Sequence, residues 1–136
     1  MKKVIVLFSI FFLASCSGTG KKYSVLYQEI KTNQTQIFVK RQTGLHGLAA
    51  LIKVTLDGKK IGALGNSERL SATTNVESGV LSAGFTGLAS IASSSASRQF
   101  RIKKGEKLFF VIKQDIGFAS STLRIYGTDQ NDFFSN

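Results

Sequence analysis

Proline is absent, cysteine and histidine occur once each, and only 8 acidic residues stand against 18 basic ones. Average usage of about 5% would supply several prolines. Turns must therefore be built from Gly, Asn, Asp and Ser, and no X-Pro isomerisation slows folding. One cysteine excludes an intrachain disulfide. One histidine and one cysteine cannot furnish a zinc set, so no metal and no cofactor is expected. Long apolar runs are missing too. The longest, Val4 to Ala14, has eleven residues interrupted only by Ser9, whereas a membrane-spanning helix needs about 20.

What is present begins with that run. Lys2 and Lys3 precede it and "LASCSGTG" follows it, which is the layout of an export signal. Leu13-Ala14-Ser15-Cys16 resembles the lipobox of bacterial lipoproteins at all four positions. The resemblance implies diacylglyceryl transfer to the Cys16 sulfur, cleavage between Ser15 and Cys16, and acylation of the new amino terminus. A thiol is the side-chain nucleophile that thioether formation needs, and small residues before it fit a peptidase cleft. Ordinary secretory cleavage after a small-residue pair is the alternative. One acyl chain binds a membrane only reversibly, and three on one residue make dissociation negligible. In Gram-negative lipoproteins aspartate after the modified cysteine causes inner-membrane retention. Ser17 here implies the outer membrane, periplasmic face. The expected organisation is a signal peptide at 1–15, a lipid-anchored tether at 16–34 and a folded domain at 35–136.

Loss of Lys2 and Lys3 lowers the net charge from +10 to +8. Export removes the chain from the cell's own nucleic acid, so no nucleic-acid partner is expected despite the basic balance. Anionic envelope surfaces (lipopolysaccharide phosphates, phospholipid headgroups, acidic glycans) are the counterparts such a charge suits. The same lysines also serve solubility and keep sheet edges unpaired.

From Thr35 onward the hydrophobic period is two. Leu48, Ala50, Ile52, Val54 and Leu56 share one face, with Lys53 and Thr55 opposite, the pattern of a half-buried strand. Asp57-Gly58 then signals a tight hairpin. Phe100 and Ile102 alternate with Arg101 and Lys103; "KKGE" turns; Leu108, Phe110 and Ile112 follow. Leu123 and Ile125 alternate with Arg124 and Tyr126. "ERLSATTNV" and "GVLSAGF" add two strands, and "YSVLYQEI" reads as a first edge strand with Tyr23, Val25 and Tyr27 on one side. The small-residue segment "AGFTGLASIASSSASRQ" reads as a partly ordered loop. About seven short strands with regular turn signals predict a single small all-β antiparallel β-sandwich. A transmembrane barrel is disfavoured, because faces opposite the core carry Lys53, Arg101, Lys103, Lys113 and Arg124, which lipid does not tolerate.

"IFVKR", "VTLDGKKIGAL", "VESG" and "GEKLFFVIK", in that order, resemble the bacterial envelope family known as domain of unknown function 2846. That family is similar to PEGA-type and transthyretin-like sandwiches. The resemblance covers most of the chain after the signal and implies the fold and an envelope location, with no activity attached. Where that family places proline and histidine around its middle glycine turn, Gly79 is followed here by Val80 and Leu81.

No catalytic residue is assigned. His46 lacks the nucleophile elbow of a triad and reads as a turn residue. Asp57, Glu77 and Glu106 fall in predicted turns. The G-x-x-G stretches at 44–47 and 84–87 lack the setting of a phosphate cradle. Two surface features remain. Arg98, Arg101, Lys103, Lys104 and Lys107 would sit astride one hairpin, either as an anionic-ligand patch or as a solvated turn. Phe133 and Phe134 in the tail would dock on a partner or pack on their own core as a strand end. Three functions follow: a non-catalytic accessory subunit of an envelope assembly, offering a sheet edge to a protein partner; a binder of anionic lipid or glycan; or a hydrolase or hydrolase inhibitor, which requires a pocket of converging polar groups.

Overall fold

Alternating apolar residues from Gln36 onward build two stacked sheets in a computed structural model that describes residues 18–42, 50–91, 93–118 and 120–135. The export signal, Leu13 to Ser17 and His46 lie outside the described residues. Nine strands are described: β1 Gln36–Arg41, β2 Ile52–Leu56, β3 Lys59–Leu64, β4 Arg69–Thr73, β5 Ser78–Phe85, β6 Ser93–Ser94, β7 Ala96–Arg101, β8 Lys107–Ile116 and β9 Ser121–Thr128. One sheet has the order β4-β1-β8-β9-β6 and the other β3-β2-β5-β7. The molecule is a β-sandwich, as its periodicity predicts. Most ladders are antiparallel, but β1 pairs with β8, and β6 with β9, in parallel.

The main core lies between the sheets, where Ile37, Val39, Ile52, Val54, Leu81, Phe100, Phe110, Ile112 and Leu123 interlock. Each such side chain contributes about 1.5–3 kcal/mol on burial. Asp57 and Gly58 take the positive φ values, 49° and 79°, of the expected hairpin between β2 and β3. The Asp57 carboxylate also accepts from the Val80 N–H at 2.8 Å, tying this turn to β5.

Two short helices form a third layer on the outer face of the five-stranded sheet: α1 Tyr23–Ile30 and α2 Gln130–Phe134. Leu26 of α1 and Phe133 of α2 are fully buried against Phe38 and Phe109. Phe133 lies 5.9 Å from Phe38 and 5.3 Å from Phe109, ring centre to ring centre. The first edge strand expected at "YSVLYQEI" is therefore a helix. An eight-residue helix has little stability alone, and it is burial of Leu26 that selects this conformation over a strand. The tail packs on its own core, but as a helix capped by Asp129, whose carboxylate accepts from the Asp132 N–H at 2.8 Å.

The expected tether is also revised over its described part. The Gly18 N–H donates to Glu68 Oε1 at 3.1 Å, the Thr19 N–H to the Ala63 carbonyl at 2.7 Å, and the Lys21 N–H to the Arg69 carbonyl at 2.7 Å. Residues 18–21 thus lace β3 of one sheet to β4 of the other. Lys21 adds an ion pair with Glu29 at 2.7 Å. The loop expected at 83–99 resolves into the end of β5, a 3₁₀ turn over Gly87–Ser90, β6 and part of β7. Gly84 lies in β5, Gly87 opens the 3₁₀ turn at φ 64°, and the 44–47 stretch lies outside the described residues.

Candidate partner-binding groove

The sequence places Arg98 to Lys107 on one hairpin, but β7 belongs to the four-stranded sheet and β8 to the five-stranded one. The turn at Lys103–Glu106 is an arch that carries the chain across the sandwich. It is held by the Lys103 N–H donating to Glu106 Oε2 at 2.7 Å and by Gly105 at φ 80°. Turn acids do the local work expected of them at Asp57 and Glu106, while Glu77 contributes its backbone carbonyl to the Ile102 N–H at 2.8 Å.

The structure splits the five predicted cations: Arg98, Arg101 and Lys107 line one cavity, and Lys103 and Lys104 lie outside it. Arg98 reaches from β7 to β9, its guanidinium donating to the Ile125 carbonyl at 3.2 Å. Lys107 turns outward to the Thr32 carbonyl at 2.8 Å and to that of Gln34. Burial there lowers the pKa of Lys107. Lys104 lines a separate cleft near Asn33 and Ile102, and Lys103 remains exposed on the arch. The single basic patch is thus distributed over carbonyl-bound and solvent-facing positions.

What the structure does bring together is an edge. β7 has one ladder partner, β5. Its other side faces β9 across the mouth of the sandwich, where Arg98 pins the two. Toward the arch the sheets part, leaving a cavity of about 720 Å³. Arg98, Arg101 and Lys107 line it together with Asp129 and Asp132, and Leu108, Phe109 and Phe110 underlie it. A strand edge beside a mainly polar cleft that carries charges of both signs is suited to an extended peptide: backbone groups give affinity and alternate side chains enter the cleft. Charges of both signs suit it less to a purely anionic ligand.

A second cationic cluster escaped the sequence reading. Lys40, Arg69 and Lys113 line a cavity of about 630 Å³ beside α2. Arg69 donates to the Phe133 carbonyl at 3.1 Å and the Ser135 carbonyl at 3.0 Å, and Lys40 to the Asp132 carbonyl. These cations satisfy the carbonyl end of the helix. Burial first, then repulsion from Arg69, lowers the pKa of Lys40. Only the register Lys40↔Arg69 between β1 and β4 brings them together, and no one-dimensional pattern carries that register. Among the described residues, no three His, Cys, Asp or Glu side chains gather to hold a metal ion.

The fold and groove define a small β-sandwich with a helical outer layer. No protein-family model matches the chain, and no curated protein matches it by sequence. Among solved structures it is similar to the "NMR structure of the protein from Eubacterium rectale", at 20% identity and a TM-score of 0.43, over 73% of this chain and 94% of that one.

Proposed function

We propose that this chain is an exported lipoprotein, anchored through Cys16 to the periplasmic face of the outer membrane, whose sandwich is a non-catalytic accessory subunit binding a partner protein along β7. The β7 edge beside its 720 Å³ cavity is the observation that carries this reading. It is the place where an added strand would gain ladder hydrogen bonds and side-chain pockets together. The lipobox residues Leu13, Ala14, Ser15 and Cys16 supply the anchor, and Ser17 the sorting. Lys103 and Lys104 are exposed on the arch itself, outside the lining of this cavity.

The test is photo-crosslinking in cells from a benzophenone side chain placed at Gln99, exposed on β7, with Lys53, exposed on β2 two strands away in the same sheet, as control. One envelope protein captured from Gln99, absent from Lys53 and lost in Cys16→Ala, is the expected result. Equal capture from both positions would overturn the edge as the contact. Salt-sensitive retention on lipopolysaccharide, abolished by Lys103→Glu with Lys104→Glu, would instead select the anionic-ligand function.

A further inference from the structure

The two ends of the sandwich differ in chemistry. One end carries Gln42 after β1, the Gly65–Glu68 turn, the 3₁₀ segment Gly87–Ser90 and the β8–β9 tip. Registers place them there together: Arg41 N–H bonds the Glu68 carbonyl, Gln42 N–H the Ile112 carbonyl and Thr86 N–H the Leu51 carbonyl, while Ile116 pairs with Ser121. This end exposes four large apolar side chains: Leu88 at 87%, Ile91 at 82%, Ile116 at 53% and Phe118 fully. Apolar residues of this size scattered singly need no explanation, but a set confined to loop tips at one end does.

Gly18 lies at the same end. Its amide is bound by Glu68, and a Cβ built on it would stand 2.5 Å from the Ala63 carbonyl and 2.6 Å from the Gly65 nitrogen. Cys16 is two residues further, which spans about 7 Å at full extension. That is too short to lift the domain clear of a bilayer.

We propose that this end is the membrane-facing surface, with Leu88, Ile91, Ile116 and Phe118 entering the lipid as hydrophobic tips around the anchor. The inference rests on the Cys16 anchor of the proposed function, and its partner is the phospholipid surface itself. The anchor's position selects lipid over a protein partner. Residues 18–21 are laced to β3 and β4, so a lipid on Cys16 brings this end to the bilayer whichever protein binds elsewhere. Of the nearby charges, Arg124 is paired with Asp115 at 2.9 Å and Glu68 is occupied by the Gly18 and Gly65 amides. Both of these acids are thus compensated, and the remaining exposed charges near this end, Lys53 and Lys113, are cationic.

The chain lacks tryptophan, so single reporters are clean. Purified protein carrying Phe118→Trp, or Val76→Trp at the opposite end, is reconstituted in phosphatidylglycerol-containing vesicles whose acyl chains are brominated. Its mass reports whether Cys16 is lipidated. The expected result is strong quenching and a blue shift for Phe118→Trp, with Val76→Trp unaffected. A lipidated protein with equal quenching at both ends, or with quenching at Val76→Trp alone, overturns the inference and leaves the anchor standing. A protein without lipid overturns the anchor. Mixed with the same vesicles, its Phe118→Trp signal then decides the tips alone, and absence of quenching rejects them.

Discussion

Arg41 shows what a single buried charge does in this sandwich. It ends β1 with its side chain almost fully buried, its guanidinium donating to the Ala50 and Leu64 carbonyls and lying 5.7 Å from the Phe85 ring centre. Burial lowers its pKa while Glu68 opposes the shift. Both bonds come from Nη1, which bridges the two sheets at the end of β1. Arg41→Met would leave those carbonyls without that donor and is expected to cost about 2–4 kcal/mol. Arg41→Lys should fall between it and the wild type. Urea denaturation of the three proteins checks this. A cost below about 0.5 kcal/mol for the methionine variant, the size of an ordinary surface change, would reject the bridging role.

At the scale of elements, α1 separates what the sequence carries from what only packing decides. Tyr23, Val25 and Tyr27 alternate as a strand would, yet Tyr23, Leu26, Tyr27 and Ile30 fit a helix equally well, and eight residues cannot break the tie. Packing of Leu26 against Phe38, Phe109 and Phe133 breaks it. A hint was present elsewhere: "QIFV" and "LFFVI" are continuous apolar runs, the mark of strands buried on both faces, and β1 and β8 are those strands. Such runs ask for a covering layer that strict alternation does not. The Asp57-Gly58 hairpin was legible because its backbone demand is local. The Lys103–Glu106 arch was misread as a hairpin because alternation on either side of a turn looks the same whether or not the strands share a sheet. The groove inherits that limit, since its walls come from both sheets. If α1 is docked, trypsin should cut slowly after Lys21, Lys22 and Lys31, because cleavage needs local opening. Leu26→Ala, at about 2–5 kcal/mol, should speed it markedly. Wild-type cleavage at these lysines as fast as in an unstructured peptide would show that 18–34 is a tether after all.

For the whole molecule, strand direction links the two proposed surfaces. β7 runs from Ala96 near the apolar end to Arg101 near the arch. With the apolar tips on lipid, the β7 edge would point away from the bilayer and its widest cleft would lie farthest from it, open to a periplasmic strand. The same architecture governs how the chain folds. Gln36 pairs with Lys107 in the parallel β1–β8 ladder, and the Thr19 N–H bonds the distant Ala63 carbonyl. Such non-local pairings place folding in the millisecond-to-second range typical of sandwiches. Without proline, the isomerisation step that commonly adds phases of tens of seconds is missing. Stopped-flow refolding from urea, followed by tyrosine fluorescence, should therefore give one dominant phase faster than about 10 s, unchanged by a prolyl isomerase. Should a slower phase appear, its dependence on protein concentration would assign it to association between chains. A slow phase independent of concentration would contradict a sandwich that closes in one cooperative step.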